Sequence, residues 1–267
     1  MKKYTGFRIP IWLLLVALPL FLVPGTAAAA SYTIEHSHSQ GYGGISVSFN
    51  SGSSYASTYL GRFIMEPITP LPAGYPTYPI STVHGNETGF FSYCLEPLQG
   101  IGTGHGPANQ YSFTIGTLVA TDGIDAAEGN LISELFGRYN PLLQYDPIGP
   151  YTGGNFRTAA AALQLAIWKI NLDYSQFGVG WSFSSGLVRV GAITPQEGAS
   201  LGINAVALLM LNSLTGSGPM ASGLEGLRSG AAQDLMIQNV SVPDGGTTAA
   251  LLGMSMLALG WFRRNRN

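Results

Sequence analysis

FRTAAAALQLAIWKIN, residues 156–171, is apolar on nearly every side of a helix rather than along one stripe. Four alanines (Ala159 to Ala162) precede Leu163, Ile167 and Ile170, so the segment reads as a helix enclosed by other elements. One residue spoils the pattern. Gln164 sits in its middle, with Ala160, Ala161, Ile167 and Trp168 as its neighbours three and four positions away. A buried amide without partners costs roughly 1–3 kcal/mol, so something must meet it.

Outward from this helix the period changes. Toward the amino end, Ile45, Val47 and Phe49 alternate with polar residues, as do Tyr111, Phe113 and Ile115, and Phe90 to Leu95 reads as a further strand ending near Cys94. Between Met65 and Val83 lie Pro67, Pro70, Pro72, Pro76 and Pro79, which fits a loop or an edge excursion but no central strand. Asp122 to Arg138 repeats apolar residues at helical spacing and closes at Asn140-Pro141. Thr194-Pro195-Gln196-Glu197 forms a capping box opening a third helix through Val206, Leu209 and Met210. Trp181, Phe183, Leu187 and Val190 suggest a strand or hairpin between the last two helices, and Leu235 to Val242 a final strand. The expected class is α+β: an antiparallel β-sandwich-like part packed with a small helical subdomain. No internal repeat of useful length is visible.

The two ends of the chain differ from its middle. Lys2, Lys3 and Arg8 precede an apolar run from Ile9 to Val23 and then Thr26-Ala27-Ala28-Ala29-Ala30, the order of a secretory signal peptide over residues 1–30. At the other end, Val242-Pro243-Asp244-Gly245-Gly246 leads into an apolar stretch from Thr247 to Phe262 and the basic tail Arg263 to Asn267. Sixteen helical residues reach about 24 Å, slightly short of a relaxed span, which suits a temporary stop in the membrane. The arginines would hold the tail on the cytoplasmic side.

This tail resembles the PEP-CTERM class of sorting signals, above all its Val-Pro-Asp-Ser-Gly variant, with Gly245 standing where Ser is usual. The resemblance covers residues 242–267 and implies cleavage by an exosortase-type enzyme. It further implies a Gram-negative, exopolysaccharide-producing cell, transient inner-membrane anchoring, and delivery to the cell surface or biofilm matrix.

The region left between the ends, residues 31–241, is one large domain or two tightly joined ones. From residue 31 to about 244 there are six cations (Arg62, Arg138, Arg157, Lys169, Arg189, Arg228) against all fourteen acidic residues, a net charge of −8. Nucleic acid is excluded as a partner on this balance, because binding it needs clustered cations. His36, His38, His84 and His105 lack ligand spacing for zinc, and no metal or cofactor is expected. No nucleophile elbow and no helical His-Glu-x-x-His motif supports hydrolase chemistry, so the chain is not expected to be an enzyme beyond single-use acyl transfer.

Cys94 is the single cysteine. In an exported chain it has no internal disulfide partner, and an idle thiol in an oxidising compartment is a liability. Two readings satisfy Gln164 and Cys94. In one, the amide hydrogen-bonds to a strand backbone and the cysteine is a small buried hydrophobe. In the other, the Cys94 thiolate displaces ammonia from the Gln164 carboxamide and an internal thioester forms.

Tyr93-Cys94-Leu95 followed, 70 positions on, by Leu163-Gln164-Leu165-Ala166-Ile167-Trp168 resembles the thioester domains of bacterial surface adhesins. Those domains carry an aromatic-Cys-apolar motif on a strand and an apolar-Gln-x-x-apolar-Trp motif on a helix. The similarity reaches from about Phe90 to Asp173. It implies a β-sandwich joined to a helical part, a Cys94–Gln164 thioester at their junction, and covalent attachment to an amine on a target surface. Tyr93 and Trp168 are the expected shields against water. The departure is context, since such adhesins are best known on Gram-positive cells, so the target does not carry over. The alternative expectation is a non-covalent structural or carbohydrate-binding protein of an exopolysaccharide matrix, its aromatic residues meeting sugars and its cysteine inert.

Overall fold

The helix that opens the reading is the hub of the structure. A computed structural model of the chain describes residues 30–72, 75, 78–82, 85–102, 106–119, 121–140, 154–191 and 202–239. The chain divides after Ala30, and the fold is that of the unit beginning at Ser31. The hub helix spans Gly154–Asp173 (α2), and every residue from Thr158 to Ile170 is buried. Helix α1 is Ala126–Tyr139 and α3 is Ile203–Asn212, both packed against α2.

Eight strands accompany them in one antiparallel sheet: β1 Ser31–Ser48, β2 Ala56–Pro67, β3 Tyr78–Thr82, β4 Gly85–Cys94, β5 Gln110–Thr117, β6 Arg189–Val190, β7 Leu224–Arg228 and β8 Leu235–Gln238. The order is β2-β1-β5-β7-β8-β4-β3, with β6 beside β1. A further pairing of β2 with β4 links the first strand of the path to the next-to-last, so β2, β1, β5, β7, β8 and β4 close into a barrel with β3 left outside the ring. The sandwich-like expectation is therefore only approximate. The class is a mixed α and β fold with antiparallel strands, but one sheet closes on itself where two were expected to face each other.

The reason lies in β1 and β2. β1 is eighteen residues long and bends at two register shifts, between His36 and His38 and between Tyr42 and Ile45. Such irregularities increase local twist and let one strand serve two sides of a closed sheet. Gly41 pairs with Gly61 at the tightest approach, where a Cβ on either would run into the backbone of the other strand. From Leu60 to Met65 β2 is buried on both faces, between the barrel interior and α2.

Several local expectations shift. The first helix starts at Ala126 rather than near Asp122, because Asp125 caps it by accepting from the N–H groups of Ala127 and Glu128 while Glu128 reaches back to the Asp125 N–H. Pro79 lies in β3, whose pairing is with β4 at the sheet edge, consistent with the edge excursion. The strand or hairpin expected between α2 and α3 shrinks to Arg189–Val190 beside β1. Ahead of it, Lys169 and Asp173 of α2 pin the loop. Nζ of Lys169 donates to Asp173 (2.7 Å) and to the carbonyls of Ser185 and Val188, and Asp173 accepts from the N–H groups of Leu187 and Val188. The third helix, expected to open at Thr194, begins instead at Ile203 after an extended Gly202; the Thr194 capping box, residues 1–29 and residues 240–267 lie outside the described residues. No helix among the described residues is long and apolar enough to cross a membrane.

Candidate functional site

Cys94 is the last residue of β4, where two neighbours of that strand part company. On one edge β8 continues, with Cys94 opposite Leu235 and the Leu95 N–H donating to the Asp234 carbonyl at 2.8 Å. Backbone groups alternate in direction along a strand, so if Leu95 faces β8, Cys94 presents its N–H and C=O to the other edge. There the pairing with β2 has ended at Phe63 opposite Ser92. The vacated edge is filled from α2. Gln164 Oε1 accepts the Cys94 N–H at 2.8 Å, and Gln164 Nε2 donates to the Cys94 carbonyl at 2.8 Å. The carboxamide thus takes the place of a strand residue in the barrel seam.

Two turns further along the same helix, Asn171 donates from Nδ2 to the Leu95 carbonyl (3.1 Å) and to Asp122 (2.9 Å). Helix and strand end are held together at two points. Cys94 and Gln164 are both fully buried. The thiol donates to Gln233 Oε1 at 3.1 Å and to the Glu96 carbonyl at 3.2 Å. Burial pushes the thiol well above its ordinary value. The Trp168 indole opposes that shift, while the charges of Asp122 and Glu96 add to it. Apart from that approach to the thiol, the Trp168 N–H has no hydrogen-bond partner among the described residues, and the ring is almost wholly buried.

The structure brings Cys94, Gln164 and Trp168 together. Tyr93 goes elsewhere: its ring packs edge-on against Phe136 of α1, with centroids 5.5 Å apart. Strand alternation explains this, since neighbouring residues on β4 point to opposite faces. The sorting residues Val242, Pro243, Asp244, Gly245 and Gly246, and His105, lie outside the described residues.

Two features escape sequence reasoning. Gln233 meets the thiol only because β8 follows it in register with β4, and nothing in Ala232-Gln233-Asp234 signals that role. A cleft of about 790 Å³ opens beside the site, and Trp168 and Gln233, which sit next to the Cys94 sulfur, are part of its wall. Phe49 joins them there, edge-on to Trp168 at 5.2 Å. A nucleophile in this cleft would be separated from Cys94 by one layer of side chains.

Comparison with known proteins reaches one end of the chain. Residues 241–266 match the VPDSG-CTERM motif. No curated protein and no solved structure matches the chain, and no thioester domain is among the matches. The matched end supports an exosortase-type sorting signal, with processing by an exosortase-type enzyme, and marks the chain for export toward the cell surface.

Proposed function

We propose that the protein is a covalent surface adhesin or matrix cross-linker that stores an internal thioester between Cys94 and Gln164. The observation that supports it is the identity of the strand residue that Gln164 meets. A buried amide needs some backbone partner, but here both of its hydrogen bonds go to the single cysteine of the chain.

The proposed chemistry draws on those backbone contacts. The Cys94 sulfur attacks the side-chain carbonyl carbon of Gln164, forming a C–S bond. The oxygen that gains charge already accepts the Cys94 N–H, a preorganised donor of the kind that stabilises tetrahedral intermediates. The thiol proton, shared with Gln233 Oε1, passes to Gln164 Nε2, the C–N bond breaks and ammonia leaves. Because burial disfavours the free thiolate, proton transfer accompanies attack. The same burial protects the product, since water would otherwise hydrolyse an activated acyl group. Trp168, which stands beside the sulfur and in the cleft wall, is the shield.

No lysine of the mature region is available as an internal acceptor. Lys169 is the single lysine after the first thirty residues, and it is fully buried in its pair with Asp173. Transfer to a surface amine would leave an amide cross-link and a free Cys94 thiol.

A second reading has its own support. Two good hydrogen bonds already satisfy Gln164, as a purely structural staple would require, and the protein would then be a non-covalent matrix or carbohydrate-binding component. Intact mass of the purified mature protein separates them. A thioester makes the chain lighter by one ammonia, and methylamine adds across it and frees the thiol. A full unmodified mass with Cys94 present as an unreacted thiol would refute the thioester.

A further inference from the structure

The closed sheet has two ends, and strand register tells which residues share each. Gln238 closes β8 opposite Leu224, where β7 begins, and Glu225 faces Thr117, where β5 finishes. Ser31, the first residue of β1, pairs with Thr114 of β5, and Pro67, the last of β2, pairs with Ile34 of β1. One end of the barrel therefore carries both the strand that opens the fold and the strand that leaves it. Cys94 lies toward the other end, since it pairs with Leu235, the first residue of β8.

The exit is firmly fixed. β8 is paired on both edges, to β7 and to β4, and Leu235 and Met236 are fully buried. The Asn239 N–H donates to the Gly223 carbonyl at 2.6 Å, and the Gln238 side chain accepts from Asn140 Nδ2 at 2.7 Å. Three residues, Asn239, Val240 and Ser241, separate Gln238 from Val242, where the sorting residues start. Four steps of extended chain reach about 14 Å, roughly half the diameter of a small domain. An enzyme that engages the motif thus meets the folded barrel around it. Peeling β8 away instead would break both of its ladders and expose its core residues.

The segments at this end carry exposed apolar side chains. Ile68, just past β2, is 49% exposed, Val119, two residues past β5, is 40% exposed, and Met220, ahead of β7, is 43% exposed. The Ile68 N–H donates to the Thr33 carbonyl at 2.9 Å, which holds it beside the start of β1. Tyr75 donates to Glu225, so the proline-rich segment forms part of the same end. Single exposed apolar residues are ordinary, but these stand on the segments that enter or leave the barrel where the chain departs toward its processing signal.

We infer that this end of the barrel is the docking face for the exosortase-type enzyme that processes the tail, with Ile68 and Val119 in the contact and the Cys94 end turned away. The inference rests on the sorting signal of residues 241–266 and not on the thioester. Phe49 and Ala56, at the far ends of β1 and β2, put the cleft beside Trp168 on the outward side as well, so docking leaves it free.

The test follows processing of the full chain by pulse–chase in cells that contain the enzyme. Ile68→Glu with Val119→Glu should slow processing by about tenfold or more, because a carboxylate pressed unpaired into an apolar contact weakens it. Leu98→Glu, at a position 77% exposed on the Cys94 side, should be processed at the wild-type rate. Equal Tm of the released proteins separates docking from folding. A Gly/Ser insertion of about twenty residues after Asn239 lets the motif be reached without contact to the barrel, and should restore the rate of the double variant. A photo-cross-linking amino acid at position 68 should capture the enzyme. Wild-type processing of the double variant, equal slowing by Leu98→Glu, or capture of lipid alone at position 68 overturns the inference, the last by assigning the face to the membrane. These outcomes leave the sorting signal standing, which fails only if the chain with Pro243→Ala and Asp244→Ala is released normally.

Discussion

If the Gln164 carboxamide replaces a strand in the barrel seam, removing it should destabilise the fold even where no covalent bond can form. The clean comparison is Cys94→Ala against Cys94→Ala with Gln164→Ala, since the first change abolishes any thioester and leaves the backbone of residue 94 in place. The second change strips partners from one buried N–H and one buried C=O, both bonded at 2.8 Å. Each orphaned group costs about 1–3 kcal/mol, so the pair loses about 4 kcal/mol. For a domain of this size that lowers Tm by about 10 °C. Urea unfolding should give the loss as a lower midpoint with an unchanged slope. A difference under about 1 kcal/mol would mean that the strand end does not depend on the amide, and the seam argument would fail. Gln164→Glu supplies a control with a sign. The new carboxyl can donate to the Cys94 carbonyl only when protonated, so its folded-state pKa is raised. Its stabilisation is then complete below the ordinary glutamate range and disappears as pH rises through that raised value.

Other consequences are open to measurement. An amine-acylating reagent applied to the native mature protein should label its amino terminus and spare Lys169, which burial holds below its ordinary pKa against the opposing pull of Asp173. Because the unfolded chain then binds more protons than the folded one, the contribution of Lys169 to stability should increase as pH rises from its lowered value toward about 10.4. Rapid native labelling at Lys169 would contradict this, and with it the claim that no lysine of the mature region is available as an internal acceptor. Gly61→Ala sets a Cβ against the Gln40 carbonyl at the barrel corner and should cost about 2–3 kcal/mol in chemical denaturation, whereas a neutral effect would show that β1 and β2 are not pressed together there. Changing Pro243 and Asp244 together to alanine should leave the protein in the inner-membrane fraction; normal release would refute exosortase cleavage.

Much of the helical half was legible because its signals are local. Four alanines and a run of large apolar residues fix α2, and its one misplaced amide points to the strand it must meet. Asp125 and Glu128 spell a capping box that the apolar spacing passed over, and it sets the start of α1 at Ala126, four residues after Asp122. The β half was less legible for a physical reason. Alternation marks a strand with one wet face, and β2 from Leu60 to Met65 has none, so its period vanishes. β7 is five residues of Leu-Glu-Gly-Leu-Arg, too short to carry a period. Closure into a barrel depends on the β2–β4 pairing and on the Gly41–Gly61 approach, which no spacing within either strand announces.

The pairing of Cys94 with Gln164 was legible because each residue is anomalous alone, a lone thiol in an exported chain and an amide in an apolar helix. The cleft was not, since Ser39, Tyr59, Gln99 and Trp168 come from four separate segments that only the folded chain gathers. That asymmetry bears on chemistry. A stored acyl group is of use only if the bond that holds it is dry and the path to it is wet. Here Cys94 and Gln164, the residues of the proposed bond, have no exposed surface, while Trp168 and Gln233 beside the thiol also border open space. Substituting Trp168 by alanine should therefore leave the ammonia-loss mass attainable but shorten its lifetime in water, and an unchanged lifetime would show that the shield lies elsewhere.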